Sequence, residues 1–77
     1  MVYLVIKKHK TQDGILLDEE RTIYGSKNRA EEAIKTQLLN YIQAYITEIG
    51  FKADKNLITF QNGETIQFTM EEHDIKM

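Results

Sequence analysis

Apolar positions recur three and four residues apart from Ala30 through Ile34, Leu38, Tyr41, Ile42, Tyr45 and Ile46 to Ile49. That spacing places them on one side of a 3.6-residue period and predicts a single long amphipathic helix. Ser26 or Asn28 is the candidate N-cap, and Asn28 with Glu31 has the spacing of a capping box. Glu31 and Glu32 suit the positive end of the helix dipole. Gly50 can take the left-handed conformation that ends a helix, and Phe51 can then fold back on the last turn. The helix is expected over about 27–49, roughly 34 Å at ~1.5 Å per residue.

The flanking segments change period. Val2 to Ile6 is β-branched, aromatic and apolar on both alternating faces, which predicts a central strand running on through Lys7-Lys8-His9. Asp13-Gly14 signals a hairpin turn, and a return strand follows from Ile15 to about Tyr24. A two-residue turn there sets Lys7 opposite Glu20 and Lys8 opposite Glu19, a favourable register. It also sets Arg21 opposite Ile6, so a bulge is expected between Leu17 and Glu20. After a short linker, Asn56 to Gln61 and Glu64 to about Glu71 form a second hairpin. Ile58 and Phe60 share a face with Ile66, Phe68 and Met70 only across an odd-numbered loop. Gln61-Asn62-Gly63, with Gly63 left-handed, supplies it. Glu72 to Met77 is expected to fray.

The pattern is therefore α+β, in the order β-β-α-β-β. It predicts a four-stranded antiparallel sheet with one long helix on one face, in a single domain over 1–77. A sheet order of 2-1-3-4 is preferred, with 2-1-4-3 open. The expected core joins Ile34, Leu38, Tyr41, Ile42, Tyr45 and Ile49 to Ile58, Phe60, Ile66 and Phe68, together with Leu4 and Ile6. This leaves Tyr3, Val5, Leu57, Thr59, Thr65, Gln67 and Thr69 on the outer sheet face.

Size and composition narrow the functional classes. A chain of 77 residues builds a core worth only a few kcal/mol net, and oligomerisation is a natural supplement. With no cysteine there is no disulfide and no thiolate metal site, which fits a cytoplasmic protein. Val2 to Ile6 is too short for a signal-peptide core or a membrane span. The net charge of -2 argues against broad phosphate binding.

Few residues carry chemistry. Lys7, Lys8, His9 and Lys10 form the main basic concentration, and a nucleic-acid-binding accessory protein using this hairpin is the alternative functional reading. Alternation sends Lys7 and His9 to one side and Lys8 and Lys10 to the other, so the run does not make one patch. His73 sits among Glu71, Glu72 and Asp74, but on a strand only Glu71 shares its side. The one serine, Ser26, is explained by the helix cap, and no glycine-rich phosphate loop is present. No catalytic activity, metal, cofactor or small-molecule substrate is expected.

The helix offers a different kind of feature. From Thr36 to Thr47 there is no charged residue, and the side away from the stripe carries Thr36, Gln37, Leu39, Asn40, Gln43, Ala44 and Thr47. Charge-poor surface of this kind fits an interface core. Together with Tyr3, Val5 and Leu57 on the outer sheet face, these residues are the candidate interface, with a homodimer as one outcome.

The strand Val2 to Ile6, the step Tyr24-Gly25-Ser26 into a helix with Ala30 and Ala33, and the ending Met70-Glu71-Glu72-His73-Asp74-Ile75 resemble a class of small uncharacterised bacterial and phage proteins. The resemblance carries no catalytic residues. It implies a phage or mobile-element accessory protein that acts by binding another macromolecule, a host protein or itself.

Overall fold

The structure, a computed structural model, describes residues 1–74. In chain order it contains β1 (Val2–Lys10), β2 (Leu16–Tyr24), α1 (Lys27–Tyr45), β3 (Lys52–Ala53), β4 (Leu57–Thr59) and β5 (Thr65–His73). The α+β reading holds: one helix packs on an antiparallel sheet. The sheet has five strands rather than four, in the order β2-β1-β5-β4-β3. The preferred order is therefore corrected, because the last long strand, not the third, lies beside the first. Length gives the reason. β5 pairs with β1 along its whole nine residues, from Val2 opposite His73 to Lys10 opposite Thr65. The three residues of β4 could not satisfy that edge of β1. The extra strand, β3, is a two-residue pairing of Lys52 and Ala53 with Thr59 and Ile58.

The first hairpin reaches the expected register by a different route. Gly14 donates to the Thr11 carbonyl and Thr11 to the Ile15 carbonyl, both at 2.9 Å, so the loop holds Gln12, Asp13 and left-handed Gly14 rather than two residues. Lys10 then faces Leu16 while His9 faces Asp18, which leaves Leu17 as the extra residue of a bulge. The bulge restores the offset, and Lys7 faces Glu20, Lys8 faces Glu19 and Ile6 faces Arg21. In the second hairpin Phe60 donates to the Glu64 carbonyl and Gly63 to the Phe60 carbonyl. This is the three-residue loop expected, with Gly63 at φ +85°. The expected fraying at Glu72 is corrected too: Glu72 and His73 pair with Tyr3 and Val2. Ile75 to Met77 lie outside the described residues.

Ser26 is the N-cap of α1, its side-chain oxygen accepting the Arg29 N–H at 3.2 Å. The helix ends at Tyr45, four residues before the expected end. Ile46 still donates to the Ile42 carbonyl, but Glu48 donates to Tyr45, only three residues back, so the chain tightens there. β-branched Ile46 and Thr47 hold a helix poorly. Gly50, at φ +86°, then turns the chain so that the Phe51 ring stacks on Tyr45 with centroids 6.2 Å apart. Ile46 and Ile49 consequently leave the stripe, and Ile49, expected in the core, is 85% exposed.

The core lies between α1 and one face of the sheet. Val5, Ala30, Leu38, Ile58, Ile66 and Phe68 are buried together, with Tyr3, Tyr24, Ile34, Tyr41, Phe51, Phe60 and Met70 packed around them. The face expected for β1 is therefore inverted: Tyr3 and Val5 turn toward the helix, and Leu4 and Ile6 lie on the open face. The pairing explains it. Val5 faces Met70 and Lys7 faces Phe68, so the odd residues of β1 share a side with the even, apolar residues of β5. Ile6 is buried nonetheless, flanked by Arg21 and Thr69. An arginine stem can cover apolar surface while its guanidinium stays in water, and the Arg21 Nε here donates to Glu19 Oε2 at 3.2 Å.

The two hairpin loops meet at one end of the sheet. A Cβ at Gly63 would sit 2.8 Å from the Gln12 side chain, whereas nothing lies within 4 Å of the same position at Gly14. Both glycines have φ near +86°. Gly14→Ala is therefore expected to cost the ~1–2 kcal/mol of a left-handed non-glycine residue. Gly63→Ala is expected to cost more, because Gln12 must also move. Chemical denaturation of the two variants compares them directly, and equal losses would rule out the loop contact.

Candidate functional site

The structure separates the basic run. Lys7 and His9 point to the helix side and Lys8 and Lys10 to the open side, as alternation requires. Lys7 Nζ lies 3.8 Å from Glu20 Oε2, and Lys8 Nζ lies 3.8 Å from Glu19 Oε1. At least two of the three lysines therefore have a carboxylate beside them. Lys7 also stands over the Tyr41 ring, 5.4 Å from its centroid. Burial works to lower its pKa, but the Tyr41 hydroxyl and the carboxylates of Glu20 and Asp18 outweigh it, and the net direction is up from 10.5. Folding thus favours the ammonium. That contribution is complete below the ordinary value of 10.5 and disappears as pH rises through the higher folded value. Thermal melting at pH values on either side of this range should show wild type losing more stability than Lys7→Gln on going alkaline. Parallel losses would show that Lys7 contributes nothing.

His9 faces an aromatic cluster at the C-terminal end of α1. Phe60 is its hub, with centroids 5.1 Å from Tyr45, 6.0 Å from Tyr41, 6.1 Å from Phe51 and 6.4 Å from His9. An open cleft of about 420 Å³ borders this cluster, lined by His9, Tyr45, Glu48, Phe60, Gln61, Asn62 and Glu64. His9 Nε2 is buried without a hydrogen-bond partner among the described residues, and Glu64 Oε1 is 3.6 Å away. These residues come together only because Gly50 returns the chain to the sheet and the second hairpin lies beside the first.

The candidate interface residues divide. Thr36, Leu39, Asn40, Gln43 and Ala44 are exposed on α1, and Gln37 is half-buried. Thr47 is exposed but lies beyond the last helical residue. Leu57, with Thr59, Thr65, Gln67 and Thr69, stands on the open sheet face. Tyr3 and Val5 do not belong to the set: they pack in the core, and Val5 is 4% exposed. At the end of β5, His73 Nε2 and Glu71 Oε2 are 3.0 Å apart on an exposed face. Among the described residues no three His, Cys, Asp or Glu side chains are grouped to hold a metal ion.

The two sheet edges differ. The β3 edge is two residues long and flanked by Asp54 and Lys55, the short, charged form that resists further pairing. The β2 edge is nine residues long and, among the described residues, hydrogen-bonded only to β1. It carries Leu16, Leu17 and Ile23 at 48%, 51% and 68% exposure. Both sheet orders considered from the sequence place this strand at an edge. The adjacent pair Leu16-Leu17, which breaks alternation in an edge strand, was the available signal for it.

No helix among the described residues is long and apolar enough to cross a membrane. No protein-family model, curated protein or solved structure matches the chain.

Proposed function

We propose that this chain is a protein-interaction module that associates with itself. The carrying observation is the β2 edge: nine residues of strand, paired on one side only among the described residues, with three exposed aliphatic side chains. Its outward N–H and C=O groups form a template for another strand. The shape supports the same reading. The radius of gyration is 13.8 Å, against about 11.5 Å for a compact chain of this length. The surface is 5712 Å², against about 4,900 Å² for a compact monomer of this mass.

Such a module needs no bound cofactor and suits the accessory role that the resemblance to small bacterial and phage proteins implies. Edge pairing buries little area, so a dissociation constant in the micromolar range or weaker is expected. Sedimentation equilibrium from micromolar to millimolar concentration tests the proposal. The expected result is a molar mass rising from 9.0 kDa toward twice that value. A monomer throughout would overturn it.

A further inference from the structure

We infer that the partner is a second copy of this chain, joined β2 to β2 in antiparallel sense about a two-fold axis at Glu20. The inference rests on the self-association reading and specifies its surface and register. In an antiparallel pair, facing residues both turn their hydrogen-bonding groups toward each other or both away. Two identical strands can therefore face each other only at positions of like parity. Within that limit the composition of Leu16–Tyr24 selects one register. With the axis at Glu20, Glu19 faces Arg21 of the second copy and Asp18 faces Thr22 of the second copy, while Leu17, the bulged residue, comes up beside Ile23 of the second copy.

The neighbouring registers lose this complementarity. An axis at Glu19 sets Glu19 against itself and Asp18 against Glu20. An axis at Arg21 sets the guanidinium against itself and Glu19 against Ile23. Opposite charges and apolar side chains facing across strands stabilise a pair, whereas like charges oppose it.

In the chosen register, Leu17 and Ile23 have exposed surface to contribute. Arg21 and Glu19, already in contact within one copy at 3.2 Å, form a four-member charge cluster with their counterparts in the other. Among directly facing residues Glu20 against itself is opposed, with Asp18 diagonal to Glu20 of the second copy on the same face, and Lys7 lies 3.8 Å from the Glu20 carboxylate in each copy. The assembly is a continuous ten-stranded sheet whose outer edges are the two short β3 strands.

The chain has no cysteine, so a single introduced thiol reports the register. In antiparallel pairing, facing Cα atoms lie ~4.5 or ~5.5 Å apart, and both distances suit a disulfide. Glu20→Cys, at an exposed position, is expected to oxidise to a covalent dimer. Asp18→Cys alone and Thr22→Cys alone should not, but their equimolar mixture should give the mixed disulfide.

Two noncovalent tests use sedimentation. Arg21→Glu should weaken association about tenfold, and adding Glu19→Arg should restore it. Glu20→Gln should strengthen it about two- to fivefold. Equal cross-linking at positions 18, 20 and 22, or failure of the charge swap to restore association, would overturn this register. A wild-type dimer that resists Arg21→Glu but dissociates with Ala44→Glu or Leu57→Lys would leave self-association standing and overturn the β2 edge. A wild-type monomer at millimolar concentration would overturn both.

Discussion

Phe68→Ala is expected to leave the domain largely unfolded at room temperature. Phe68 is fully buried in β5, facing Lys7 of β1 and packed in the cluster that joins Val5, Ala30, Leu38, Ile58 and Ile66. Removing the ring costs its transfer free energy and leaves a cavity, together ~3–5 kcal/mol. A chain of 77 residues has a total stability of about the same size. Alanine keeps the backbone groups of this position, where the Asn56 side chain donates to the Phe68 carbonyl and the Phe68 N–H donates to the Asn56 carbonyl, both at 2.9 Å, so the loss measured is that of the ring. Leu38→Ala, on the facing surface of α1, should act in the same direction at ~2–5 kcal/mol. Urea unfolding measures both, and a loss below about half a kcal/mol for either would mean that the helix does not cover this face.

Val5→Lys should be nearly as severe, while Leu4→Lys should be tolerated. The two residues are neighbours on β1 with opposite fates. Val5 faces Met70 and Thr22 beneath the helix, and Leu4 faces Ile23 and Glu71 on the open side. An ammonium at position 5 has no carboxylate partner inside the cluster. An uncompensated buried charge costs ~3–5 kcal/mol. At position 4 the same group reaches water and lies opposite Glu71. Circular dichroism with urea titration separates the pair. Similar losses for both, or a greater loss at Leu4, would contradict the facing of β1.

That facing is also where the sequence is least informative. Val2 to Ile6 is apolar at every position, so its alternation carries no signal. Only the pairing of β1 with β5 decides which side meets the helix, and that pairing depends on strand order. The second hairpin shows the opposite case. Ile58 and Phe60, then Ile66, Phe68 and Met70, recur at every second position with Thr59, Gln67 and Thr69 between them, so parity alone requires a three-residue loop with Gly63 left-handed. The opposed charges of Lys7 with Glu20 and Lys8 with Glu19 likewise specify the first hairpin, although a longer loop and a compensating bulge at Leu17 reach that register. The apolar stripe runs through Ile49, but the helix does not, because Ile46 and Ile49 leave the helical path once the chain tightens after Tyr45. The aromatic cleft could not be read from the sequence, since it joins His9, Tyr45 and Phe60 from three distant segments.

The surfaces available for association follow from the same geometry. Tyr3 and Val5 pack in the core beneath the helix and are not part of the open sheet face. The exposed residues of α1 remain accessible, and so do Leu57 and its neighbours on the open sheet face. The β2 edge adds something these faces lack, a row of backbone groups whose only geometric match is another strand. The charged centre of β2, Asp18 to Arg21, discourages indiscriminate pairing. It admits the one register in which Glu19 meets Arg21.

The most direct test is amide hydrogen exchange of β2 as a function of protein concentration. Self-association through this edge predicts that outward-facing β2 amides, fast in dilute solution, become protected as the concentration rises from micromolar to millimolar. The short β3 strand should show no such dependence. Outward β2 amides that exchange as a free edge at every concentration, in a sample whose molar mass does rise, would contradict the account and move the interface to another surface.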